Sequence, residues 1–267
     1  MNLYFRELRA HLKSIIIWTI VIIIFVAMGM QKYDAMVAGP DGGAELLKIL
    51  DSMPKALQTL WGLTTIDITK PIGYFSVLFF YLALMASIHA GMLGSNIISK
   101  EERDKTVEFL MVKPISRDKI VTCKLLAALT NVVIVNLAIL FSSVMMLKTY
   151  SSDSIAKEIM LTMTGLLFIQ IIFMCVGSTI AAIYKKPKKA TAITMGILLF
   201  TFFLSIIIDL SKSFEILSFL TPFKYFDAKQ LLTDGYLYWQ YILLTFVIII
   251  GLLIFTYKKY HNRDLHL

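Results

Sequence analysis

The chain has 267 residues, of which 58% are hydrophobic and 16% charged, and its mean hydropathy is +0.75. A soluble domain is roughly half apolar and a quarter charged, so composition places this chain in a membrane and leaves little of it for a soluble catalytic domain. The formal net charge of +8 calls for no nucleic-acid partner once the basic residues are mapped onto the two sides of the spans.

The chain opens on an amphipathic segment. Leu3, Tyr4, Leu8 and Leu12 share one helical face, while Arg6, Arg9 and Lys13 share another. This pattern predicts an interfacial helix in the headgroup layer, in contact with membrane lipids. A span needs about 20 apolar residues, and six runs qualify: 15–31, 72–98, 120–147, 155–184, 190–209 and 239–257. The first reads as a retained span, because no small-x-small cleavage site follows Met30. The expected fold is a single all-α integral membrane domain over residues 1–267, with six transmembrane helices.

Between the first two spans, residues 31–70 are too long for a structureless connection. A short helix is expected over 44–50. A second would be N-capped by Ser52, with Pro54 in its first turn, a stripe of Leu57, Leu60 and Trp61, and Gly62 at its end. The segment 210–238 is apolar yet interrupted by Pro222, which forbids a regular helix through its centre. Such backbone at membrane depth has to be buried in protein or line a cavity. A re-entrant, structured outer loop before the last span is therefore expected.

After the second span comes a charged island, Lys100 to Arg117. A helix over 101–112 would place Glu101, Glu102 and Asp104 in its first turn, where the helix dipole favours them. Val107, Leu110 and Met111 would form its apolar side, and Pro114 would stop it. A short helix with one apolar and one charged side suits insertion into a groove of a soluble partner.

Orientation follows from the basic residues. Residues 1–14, 98–124, 185–189 and 258–267 share one side and carry 17 Lys and Arg against 7 Asp and Glu. The other side carries 9 against 11. The positive-inside rule makes the basic side cytoplasmic, both termini included. Inside the spans, His89, Asn96, Asn136 and Gln170 are the polar positions that could face a translocation path. For His89 the preferred role is packing, through hydrogen bonds to Asn131, Asn136 or Gln170. Ala86, Ala90, Gly91 and Gly94 favour close helix approach in the same region. Cys123 and Cys175 have no CxxC spacing and read as small buried thiols. No G-x-x-x-x-G-K-[ST] motif occurs, so the energy source is a partner or a gradient.

The run Ile98-Ser99-Lys100-Glu101-Glu102-Arg103-Asp104-Lys105-Thr106-Val107-Glu108-Phe109-Leu110, followed by Pro114-Ile115-Ser116-Arg117 and Lys124, resembles the signature of ABC-2 type transporter permeases. Leu220 to Phe226 resembles a segment of the bacitracin- and sodium-exporter-like branch of that family. The chain departs from the family at Lys105, where many relatives carry a small residue, often Gly. The resemblance implies the permease subunit of an ABC exporter in the plasma membrane of a bacterium. It implies two partners, a second permease subunit (the same chain or a paralogue) and a separate ATP-binding subunit. This chain would bind no cofactor, since ATP and magnesium would sit on the ATPase. Glu101, Glu102, Thr106, Glu108, Phe109 and Leu110 would make the ATPase contact through a coupling helix. Aromatic residues such as Phe79, Phe141, Phe200 and Phe203 point towards a hydrophobic or amphipathic cargo, a drug-like molecule or an antimicrobial peptide. The alternative is a gradient-driven transporter or channel centred on His89.

Overall fold

The structure, a computed structural model, describes residues 3–37, 42–54, 57–58, 67–106, 115–150 and 156–262. Among the described residues six helices are long and apolar enough to cross a membrane. They are α1 (Leu3–Val37), α3 (Pro71–Arg103), α4 (Arg117–Tyr150), α5 (Ala156–Ile183), α6 (Pro187–Leu210) and α9 (Trp239–His261). There is no strand among the described residues. In hydrocarbon every backbone N–H and C=O must be satisfied within the segment, and a helix does so. Pro71 and Pro187 open α3 and α6 at positions where a missing N–H is harmless.

The start of α1, the end of α3, the start of α4 and the end of α9 meet at one face. Arg6 reaches Glu101 (3.1 Å), and Arg117 donates to the His261 carbonyl (2.7 Å). These are residues assigned above to the basic side, and the face is called basic below. At the opposite face the Tyr33 hydroxyl donates to the Thr69 carbonyl (2.7 Å), and its ring meets Tyr74 and Tyr150.

The bundle is built around α3 and α5. Of their apolar windows 61% and 72% are buried, against 17% for α1 and 11% for α9. The α3–α5 contact is backbone on backbone. A Cβ added at Gly94 would lie 2.1 Å from the Met174 carbonyl oxygen, and one at Gly177 would lie 2.3 Å from that of Gly91. Small residues replace the hydrophobic effect as the means of holding helices together in lipid, so Gly91 and Gly94 act as expected. α1 lies along α4, and α9 along α5. Thr179 and Thr256 share a hydrogen bond across the α5–α9 contact (2.8 Å).

Two expectations need correction. The N-terminal amphipathic segment is not a separate interfacial helix. α1 is continuous from Leu3 to Val37, about 52 Å at 1.5 Å per residue, because nothing between Lys13 and Ile15 breaks it. The helix expected to begin at Glu101 does not begin there, since Glu101 to Arg103 form the last turn of α3. Ser52 is the last residue of α2 (Gly42–Ser52), and most of the helix expected after it lies outside the described residues. Pro54 does open a turn, its carbonyl accepting from the Leu57 and Gln58 N–H groups (2.9 and 3.2 Å). Leu60, Trp61 and Gly62 lie outside the described residues.

The segment before the last span re-enters the bundle. A 3₁₀ stretch (Lys212–Leu220) runs to Thr221, whose hydroxyl donates to the Thr201 carbonyl (2.8 Å). Pro222 then starts the short α7 (Pro222–Tyr225), and α8 (Ala228–Asp234) follows. Phe223 packs on Phe173 and Phe202, and Phe226 stacks on Phe168. The turn from Thr221 to Phe226 is thus enclosed by protein, as broken backbone in hydrocarbon requires, whereas the 3₁₀ stretch before it is largely exposed.

The α3–α5 contact yields a first test. Gly94→Ala or Gly177→Ala forces a methyl against backbone and is expected to destabilise by about 1–3 kcal/mol. Gly251→Ala in α9 meets nothing within 4 Å and should be neutral or slightly stabilising. Thermal unfolding of the three variants in detergent checks this.

Candidate functional site

The charged island begins as the end of α3 and leaves it through a defined cap. Asp104 closes the helix with its N–H on the Lys100 carbonyl, and Lys105 adopts the left-handed conformation (φ 55°). The Thr106 N–H then returns to the Glu101 carbonyl at 2.8 Å. This six-to-one bond across a left-handed residue is a Schellman cap. A left-handed position suits Gly and strains a side chain, so Lys105 carries strain that a glycine would not. Arg103 donates to Asp104 (2.9 Å) and holds that carboxyl below its ordinary pKa.

Just inside this turn lies a buried ion network. Lys124, near the start of α4, is fully buried. Its ammonium donates to the Ile97 carbonyl (2.7 Å) and to the Glu101 carboxylate. The other Glu101 oxygen accepts from Arg6 (3.1 Å). Arg6 also bonds Glu7 (2.7 Å), and Glu7, fully buried on α1, accepts from Lys100 at 3.0 Å. Three cations and two carboxylates thus tie α1, α3 and α4 together at the basic face. Tyr4 adds a hydroxyl bond to Thr130 (2.9 Å). Removing an ion from water is expensive unless its partners are well placed, and here each buried charge has at least two.

The predicted ATPase-contact residues therefore divide. Glu101 is 6% exposed and turned inward to Lys124 and Arg6. Glu102 is half-buried and Thr106 exposed. Glu108, Phe109 and Leu110 lie outside the described residues. Of the basic residues on α1, Arg9 and Lys13 are exposed, whereas Arg6 belongs to the network.

The polar positions inside the spans do not form one constellation. The His89 ring lies against Trp18 of α1 (centroids 5.4 Å), and its Nδ1 has no hydrogen-bond partner. Asn136 donates to Gln170 (3.0 Å) and to the Met163 carbonyl (3.2 Å), joining α4 to α5. His89 thus lies against an aromatic ring, and among the described residues it makes none of the expected bonds to Asn131, Asn136 or Gln170. Asn96 lines an open groove at the basic face together with Arg103 and Lys188.

Sequence reasoning missed Glu7 and a second cluster. Near the opposite face Lys224 donates to Asp209 and to Asp227 (2.9 Å), joining α7 to the end of α6 and the start of α8. Burial opposes the charge on Lys224, but Asp227 and Asp209 outweigh it and hold the ammonium above its ordinary pKa. The signal was a lysine in an aromatic run, Phe223-Lys224-Tyr225-Phe226, where a buried charge requires acidic partners.

A six-helix bundle with a glycine-packed centre, a re-entrant turn before its last helix and a charge-anchored turn after its second span defines a multi-pass membrane protein. The model of the ABC-2 family transporter proteins matches residues 1–265. The chain belongs to that family, whose members are membrane permease subunits of ABC transporters. No curated protein matches the chain.

Two predictions follow from the network and its cap. Lys124→Met leaves Glu101 buried without its main partner and is expected to cost about 3–5 kcal/mol. Adding Glu101→Gln should recover most of that loss in denaturant titrations of the detergent-purified protein. Lys105→Gly removes left-handed strain and is expected to raise stability by up to about 1 kcal/mol, whereas Lys105→Ala should not. Melting temperatures of the two variants decide it.

Proposed function

We propose that the chain is the permease subunit of an ATP-driven exporter in a bacterial plasma membrane, with its basic face and both termini cytoplasmic. A separate ATP-binding subunit docks on the segment that follows α3. Glu102 and Thr106 start that contact, and Glu108, Phe109 and Leu110 complete it. The observation that supports this reading is the Schellman turn at Asp104–Thr106, attached directly to a buried network that holds three helices.

The anchor turns a local push into a collective one. A force applied beyond Thr106 acts on α3 and, through Glu101, on Lys124 of α4 and Arg6 of α1. α3 meets α5 backbone to backbone at Gly94 and Gly177, so displacement at the basic face passes to the bundle centre with little slack. Glu101 then acts as a positioning residue rather than a contact. A second permease subunit, the same chain or a paralogue, completes the path. Phe141, Phe200 and Phe203 are more than half exposed, which suits lipid or that second subunit. The cargo is hydrophobic or amphipathic, a peptide or a drug-like molecule.

The test is co-purification from native membranes with mass spectrometry of what stays bound, for wild type and for Glu102→Arg with Phe109→Ala. A P-loop ATPase should accompany wild type and be lost from the variant. Absence of any ATPase from wild type overturns the reading.

A further inference from the structure

An open groove runs between α3 and α6 at the basic face, with a volume of about 400 Å³. One wall is a single face of α3, formed by Met92, Asn96 and Arg103, and the other is the first turn of α6 from Pro187 to Ala192. Below it the two helices close. Ser95 and Thr191 share a hydrogen bond (3.1 Å), and Gly91 packs against Thr194 and Met195.

The groove is graded in polarity along the membrane normal. Met92 and Ala192 lie at its deep end, Asn96 and Thr191 offer an amide and a hydroxyl at mid-height, and Arg103 and Lys188 stand at the rim. Asp104 is the acid paired with Arg103, and both side chains are more than 40% exposed, so the pairing is weak and readily exchanged. Lys185, Lys186 and Lys189 surround Lys188 in sequence and are exposed. Lys189 stands over the Tyr184 ring.

We propose that this groove binds the headgroup of an anionic phospholipid from the leaflet at the basic face. Its phosphate sits between Arg103 and Lys188, its ester region meets Asn96 and Thr191, and an acyl chain runs past Met92. Charge complementarity and the depth order match the lipid: cations at headgroup level, single hydrogen-bonding groups at glycerol level, apolar surface below. Arginine and lysine together supply a forked donor and a point charge to one phosphate. The site does not depend on the ATPase reading.

The test is native mass spectrometry of the full chain in detergent, offered equal amounts of phosphatidylglycerol and phosphatidylcholine with identical acyl chains. Wild type should retain phosphatidylglycerol at least about tenfold better, as two basic groups at a membrane surface warrant. Arg103→Gln with Lys188→Gln, both exposed positions, should bring the ratio near one. Lys258→Gln with Lys259→Gln in α9 should leave it unchanged, and millimolar inorganic phosphate should not displace the lipid. Equal retention of both lipids by wild type overturns the proposal, as does a preference that survives the first pair of substitutions. Loss with the α9 pair would mean diffuse surface charge, and displacement by inorganic phosphate a free-anion site, and either result also overturns it.

Discussion

A lysine with no exposed surface, 124, sits where the second and third spans meet the basic face, and the architecture around it follows from the need to satisfy its charge. Desolvating an ammonium is tolerable only with close, well-aimed acceptors. The end of α3 supplies them as the Ile97 carbonyl and the Glu101 carboxylate. Glu101 then has a second oxygen to satisfy, which draws in Arg6, and Arg6 brings Glu7 and Lys100. Three helices that lipid alone would hold only loosely are thereby fixed at one level. In hydrocarbon there is no solvophobic gain in pressing one apolar helix on another, so specific polar ties and close backbone contact carry the structure.

The second constraint is steric. Gly94 and Gly177 let α3 and α5 approach until carbonyl oxygens occupy the space that Cβ atoms would fill. Position along α3 sorts its contacts: its last turn holds the ion network, its middle packs backbone to backbone on α5, and its basic-end face toward α6 forms the groove.

Apolar length made the six spans legible in the sequence, and Pro222 made the break before the last span legible too. Helix boundaries at the basic face were harder to read. Acidic residues at 101, 102 and 104 look like the start of a helix, because the dipole favours them there, yet Glu101 is at a helix end because its carboxylate is needed by Lys124. Tertiary pairing overrode a local preference. The network itself was out of reach, since Glu7 pairs with a lysine 93 residues away and Arg6 with an acid 95 residues away. Lys124 was noticed as part of a family pattern without a role, which its burial supplies. Lys105 is legible as a departure from the pattern that the segment resembles, and its positive φ places a side chain where glycine would sit without strain.

The two ion clusters differ in their access to water. At the basic face Lys124 is sealed and Glu101 nearly so, with side chains 0% and 8% exposed. At the opposite face Lys224 is 9% exposed, but Asp209 and Asp227 are 28% and 18% exposed. A carboxylate in contact with water recovers hydration when its pair breaks, whereas a sealed one does not. Opening is therefore less costly at the Lys224 clasp, which joins the short re-entrant helices to the end of α6, than at Lys124, which joins full spans. The same chemistry, a lysine shared by acids on neighbouring segments, thus makes a sealed joint at one end of the bundle and a water-accessible one at the other, and the second costs less to break.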